Sequence, residues 1–96
     1  MVLGDFGRHG DYYQKDVATQ MTKAAATLDS DFVISVGDNF YPNGVQSTQD
    51  LQWTASFESI YSSHQLQNDW FVTLGNHDYN GNIQAQIDYS QISRRW

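Results

Sequence analysis

The sequence predicts an α/β fold built on a short parallel sheet, and three observations predict it. Short apolar runs alternate with helix-periodic segments in the order strand, helix, strand, helix, strand, the pattern of right-handed parallel crossovers. Each apolar run stops the same way, at Gly4-Asp5, Gly37-Asp38 and Gly75-Asn76. In a parallel sheet these three ends share one edge, where ligands of open α/β folds bind.

Met1-Val2-Leu3 forms the first strand. From Tyr13 to Leu28, the positions Val17, Met21, Ala24, Ala25 and Leu28 mark one helical stripe. Asp31 to Val36 (DFVISV) is short, β-branched and apolar, which suits a strand buried on both faces. Pro42-Asn43-Gly44 signals a turn. A second helix is expected over Asp50 to Ser62, with Trp53, Phe57, Ile60 and Tyr61 on its apolar face. Trp70 to Leu74 is the third strand, with Trp70 and Phe71 in the core, and Ile83 to Ser90 a short last helix.

The 96 residues carry a formal charge of −6 with only five Lys and Arg, which opposes nucleic-acid binding. Arg94-Arg95 is too short a basic run to change that. No apolar stretch reaches the length of a membrane span, and the N-terminus has no signal-peptide pattern. There is no cysteine, so thiolate ligands and cysteine nucleophiles are excluded.

Two carboxylates and a carboxamide brought to one edge need a cation, because like charges at close range disfavour each other. Such oxygen donors suit hard metals, and carboxylates also ligate zinc. His77 and Asp78 extend the cluster. Tyr41 is the unusual member: a phenol becomes a good ligand only beside strong positive charge, which trivalent iron supplies better than a divalent ion. Pro42 biases Tyr41 toward extended backbone.

A single Gly-Asp pair after a strand is ordinarily a turn with a solvated carboxylate. Three at strand ends, with Tyr41 between, exceed what turns explain. Asp5-Phe6-Gly7 also spells the kinase metal motif, but that reading needs an upstream lobe. His9 and His64 are expected at the surface, His9 near the rim of the cleft.

Gly4-Asp5-Phe6-Gly7, Gly37-Asp38-Asn39-Phe40-Tyr41 and Gly75-Asn76-His77-Asp78 resemble, in order, the first three blocks of the metallophosphoesterases. Tyr41, three residues after the second aspartate, makes the chain similar to the purple acid phosphatases, above all the small tartrate-resistant type. The resemblance implies the N-terminal half of an αββα sandwich, so that residues 1–96 form part of a domain. It implies that Asp5 and Tyr41 bind Fe(III), that Asp38 bridges to a divalent metal (Fe, Zn or Mn), and that Asn76 binds the divalent ion. His77 is then the catalytic residue beside the phosphate, and Asp78 steers His77.

The histidine blocks VxxH and GHxH that complete such a site downstream do not occur in these 96 residues. The implied function is acid hydrolysis of phosphate monoesters, incomplete in this chain. The alternatives are a non-catalytic fragment holding one metal ion, or an enzyme acting on phosphodiesters, against which Tyr41 argues. The resemblance also implies a secreted, periplasmic or lysosome-like setting for the parent protein. A sheet face left without its second half invites self-association.

Overall fold

A computed structural model describes residues 1–96. Three strands, β1 (Val2–Leu3), β2 (Phe32–Ser35) and β3 (Asp69–Val72), form a parallel sheet in the order β1-β2-β3. The register pairs Val2 with Ile34 and Ile34 with Phe71, and Leu3 with Ser35 and Ser35 with Val72. The last row of the sheet is therefore Leu3, Ser35 and Val72, and all three motif loops leave from that edge. No helix is long and apolar enough to cross a membrane.

Helix α1 (Gln14–Leu28) makes the crossover from β1 to β2. Its buried face is Gln14, Ala18, Met21 and Ala25, one residue round from the expected stripe, while Val17 and Leu28 are exposed. The cause lies in Gln14: its side-chain oxygen accepts from the Arg8 and Gly10 amides at 3.0 and 2.8 Å. Its amide donates to the Ser56 carbonyl at 2.8 Å. A polar residue thus heads the inward face because it ties the first motif loop to the core.

The second expected helix is a π-helical turn, Trp53–Glu58, preceded by tight turns rather than by a helical start at Asp50. The Asp50 carboxylate instead accepts from the Gln46 and Gln52 amides. Trp53, Phe57 and Tyr61 still face inward, because a wide turn keeps residues four apart on one side, and Ile60 is partly buried. The final helix, α2 (Ile83–Asp88), starts at Asn82, whose side-chain oxygen accepts from the Ala85 amide at 3.1 Å.

The core lies on one side of the sheet and is largely aromatic. Phe6, Phe40, Trp53, Phe57, Tyr61, Trp70 and Tyr89 are buried in one cluster with Met21, Val33 and Leu66. Trp53 and Tyr89 stack at 3.5 Å, and Trp96 packs edge-on against Trp53 and Phe57. The other side of the sheet is bare, so β2 is buried on one face only. Val33 and Ser35 are buried, whereas Phe32, Ile34, Val36 and Phe71 are exposed. Phe71, expected in the core, thus belongs to an apolar surface.

Candidate metal centre

The motif loops are zipped together beyond the last row of the sheet. The Asp5 amide donates to the Gly37 carbonyl at 3.1 Å, Phe6 to Asp38 at 3.3 Å and Tyr41 to Gly7 at 2.9 Å. Asp5 and Asp38 both take left-handed backbone conformations, φ 56° and 51°, a strained region for residues with a side chain. Gly37 turns the chain at φ 106° against Gly75, and a Cβ on Gly75 would collide with the Asp38 side chain. Glycine at position 75 therefore makes room for the carboxylate of the neighbouring strand end.

These turns bring Asp5, Asp38 and Tyr41 to one point. The Tyr41 hydroxyl donates to Asp5 Oδ1 at 2.5 Å and to Asp38 Oδ2 at 3.0 Å. Tyr41 is buried, Asp5 exposed and Asp38 intermediate. Burial, then hydrogen bonds to Asp5 and Asp38, and then their negative charges, push the Tyr41 phenol well above its ordinary range. Without a cation, the phenol proton is shared between two carboxylates. The Tyr41–Pro42 peptide is cis.

His77 and Asn76 leave the third strand end. The His77 amide donates to Asp38 Oδ1 at 2.9 Å, and its ring lies 4.5 Å from that of Tyr41. His77 Nδ1 is 2.6 Å from the Pro42 carbonyl, which can only accept, so Nδ1 carries the proton. Nε2 makes no hydrogen bond. Asn76 is exposed at the same edge, and its side chain makes no hydrogen bond. His9 and His64 are exposed, as expected.

Asp78, expected to steer His77, makes no hydrogen bond to its ring. Its fully buried carboxylate accepts from the Asn39, Phe40 and Gly75 amides and from the Gln86 side chain, at 2.8–3.2 Å. It ties the second motif loop to the third. Asn39, which sequence reasoning passed over, is equally buried and completes this knot through Thr73 and Gln86.

The donor set fits a hard cation. No three His, Cys, Asp or Glu side chains gather at metal-holding distance; the phenol oxygen is what completes a three-oxygen group with Asp5 and Asp38. A cation standing there would replace the shared proton, and its charge would offset the cost of gathering two carboxylates round one phenol. The largest surface cavity, about 430 Å³, lies at the opposite edge of the sheet, between the end of α1 and the His64–Asn68 turn, remote from this chemistry.

A family profile, that of the calcineurin-like phosphoesterases, matches residues 1–96, and the chain belongs to that family. Within it, the chain is similar to purple acid phosphatase 4 of Arabidopsis thaliana, 45% identical over 98 residues, covering 100% of this chain and 29% of that protein. It is likewise similar to tartrate-resistant acid phosphatase type 5 of Homo sapiens, 44% identical over 80 residues, covering 82% of this chain and 25% of that one. Among solved structures it resembles GAP50, the anchor in the inner membrane complex of Plasmodium. That likeness has a TM-score of 0.83 at 30% identity, covering 90% of this chain and 27% of the other. The chain thus spans less than a third of the length of these relatives.

Proposed function

We propose that the protein is an acid phosphatase hydrolysing phosphate monoesters at a centre of Fe(III) and a divalent metal, to which this chain contributes part of the ligands. The observation that carries the reading is the Tyr41 hydroxyl shared between Asp5 and Asp38. Asp5 and Tyr41 would hold the ferric ion, Asp38 would be a ligand shared by the pair, and Asn76 would take the divalent one. When bound, the pair acidifies water and neutralises phosphoryl charge.

The chain's own residues do the rest. Asp38 is aimed by the His77 amide and by Tyr41, one bond to each oxygen. The Pro42 carbonyl holds the Nδ1 proton of His77, so that Nε2 is the nitrogen left to deliver a proton to the leaving oxygen. Asp78 acts on this chemistry through the backbone by holding both loops in register.

Loading the protein with ferric iron tests the ligand set. A visible phenolate-to-iron band is expected, and Tyr41→Phe should abolish it; a coloured Tyr41→Phe variant sinks the assignment. In the full-length protein, Asp38→Asn should collapse two-metal binding and phosphate release together. The likeness to GAP50, an anchor, favours a second reading, a metal-binding module without turnover. Metal loading with the visible band but no phosphate release from p-nitrophenyl phosphate selects it.

A further inference from the structure

The centre has one cation of its own that no hydrogen bond explains. Arg8 follows the first motif directly. Its backbone is pinned, the amide by Gln14 at 3.0 Å and the carbonyl by the Asp11 amide at 2.9 Å. Its guanidinium lies 3.6 Å from the centre of the Tyr41 ring and 5.3 Å from that of Tyr12. Yet the guanidinium makes no hydrogen bond, and the one ion pair of the chain is Arg95–Glu58.

No other basic residue lies over the Tyr41 ring. Arg95 is buried and paired with Glu58, Arg94 donates to the Gln67 carbonyl, and Lys15 and Lys23 belong to α1. In an acidic chain, then, one unpaired fork of donors lies over the ring whose hydroxyl belongs to the candidate metal centre. Arg8 lines two adjoining depressions. One, about 110 Å³, has Asp5 in its wall; the other, about 260 Å³, is formed with His9, Asp11, Tyr12, Tyr41 and Pro42.

We propose that Arg8 is a specificity-determining residue of this site, binding a second anionic group of the substrate beyond the phosphoryl group that is cleaved. The substrate class is phosphate compounds with a neighbouring phosphate or carboxylate, of which inorganic pyrophosphate is the smallest. The proposal rests on the metal-centre reading, because the second anion is placed by the first. A planar guanidinium presents paired donors suited to phosphate oxygens, and stacking on Tyr41 orients them in advance. Asp11, in the wall of the same depression, opposes an anion there and gives the proposal a second handle.

Calorimetric titration of the metal-loaded, full-length protein with orthophosphate and with pyrophosphate tests it without relying on turnover. Removing one charge-assisted contact should weaken pyrophosphate about tenfold in Arg8→Gln, with orthophosphate unchanged. Arg8→Lys should recover part of the loss, and Asp11→Asn should tighten pyrophosphate. An unchanged preference in Arg8→Gln overturns the proposal. So does equal weakening of both anions, which makes Arg8 a mere prop for Tyr41. The visible iron band reports whether the variant keeps its centre. An intact Arg8-dependent preference without phosphate release overturns the phosphatase reading and leaves Arg8 as the second-anion contact of a binding site.

Discussion

Asp78 and Asn39 are 39 residues apart in sequence, yet the Asp78 carboxylate accepts the Asn39 amide with both oxygens, at 3.0 and 3.1 Å. The same carboxylate takes the Phe40 and Gly75 amides and the Gln86 side chain. Asp78→Ala leaves these buried donors without an acceptor, and a loss of about 3–5 kcal/mol is expected. Urea unfolding of the variant measures it. Were Asp78 acting only on the His77 ring, stability would stay put and the pH profile alone would move.

Arg95 is a buried cation held on several sides. It pairs with Glu58 at 2.8 Å, donates to the Tyr61 and Leu66 carbonyls at 2.5 and 3.0 Å, and lies 4.2 Å from the Phe57 ring. Arg95→Met should destabilise by about 2 kcal/mol, since it strips the half-buried Glu58 carboxylate of its countercharge, while the Tyr61 and Leu66 carbonyls keep the Gln67 and Trp70 side chains. Arg95→Lys should recover little, because one ammonium cannot span the same partners. Thermal melts of the two variants separate charge from fork geometry.

Alkaline pH should unfold the protein through its buried phenols. Burial pushes Tyr61 up to about 12, against a weaker lowering by the Gln14 hydrogen bond. Burial, with the Glu58 charge and hydrogen bond, pushes Tyr89 to about 12 as well, Arg95 opposing. Both pKa values are raised, so the folded state binds the proton more tightly than the unfolded chain. The contribution is complete below pH about 10 and is lost as pH rises through about 12. For Tyr61 the loss is roughly 3 kcal/mol. Tyr61→Phe should flatten the decline at modest cost, since Gln14 keeps its bond to the Ser56 carbonyl. A decline equally steep in that variant would contradict the assignment.

The three strand ends were legible because glycine before a carboxylate or carboxamide is a local signal, and parallel topology turns it into proximity. The shared edge of Asp5, Asp38 and Asn76 followed from that, whereas Tyr41 stood out as a phenol beside Pro42. The partner of Asp78 was hidden because it is mostly backbone amides, which carry no side-chain signature. Arg8 carries no motif of its own, and its place beside Gly4-Asp5-Phe6-Gly7 is the one clue the sequence offers. The π-helical turn at Trp53–Glu58 imitates a helix because both keep Trp53 and Phe57 on one side. DFVISV misled for another reason: apolar residues occupy both faces of β2, so alternation could not reveal that one face is uncovered.

That uncovered face yields the last prediction. Val2, Ile34 and Phe71 stand in one row across the three strands, 67, 37 and 58% exposed, with Phe32 packed edge-on against Phe71 at 5.6 Å. Val36 extends the patch. Contiguous apolar surface of this kind is stabilised by burial at about 25 cal/mol per Å². The isolated 96-residue chain should therefore self-associate through this face. Sedimentation velocity should show dimers or larger species for the parent chain and a shift toward monomer for Phe71→Ser with Ile34→Thr. These substitutions leave Val33, Trp70 and the aromatic core untouched, so the double variant should keep its circular dichroism. Undiminished association in a folded double variant would place the contact elsewhere.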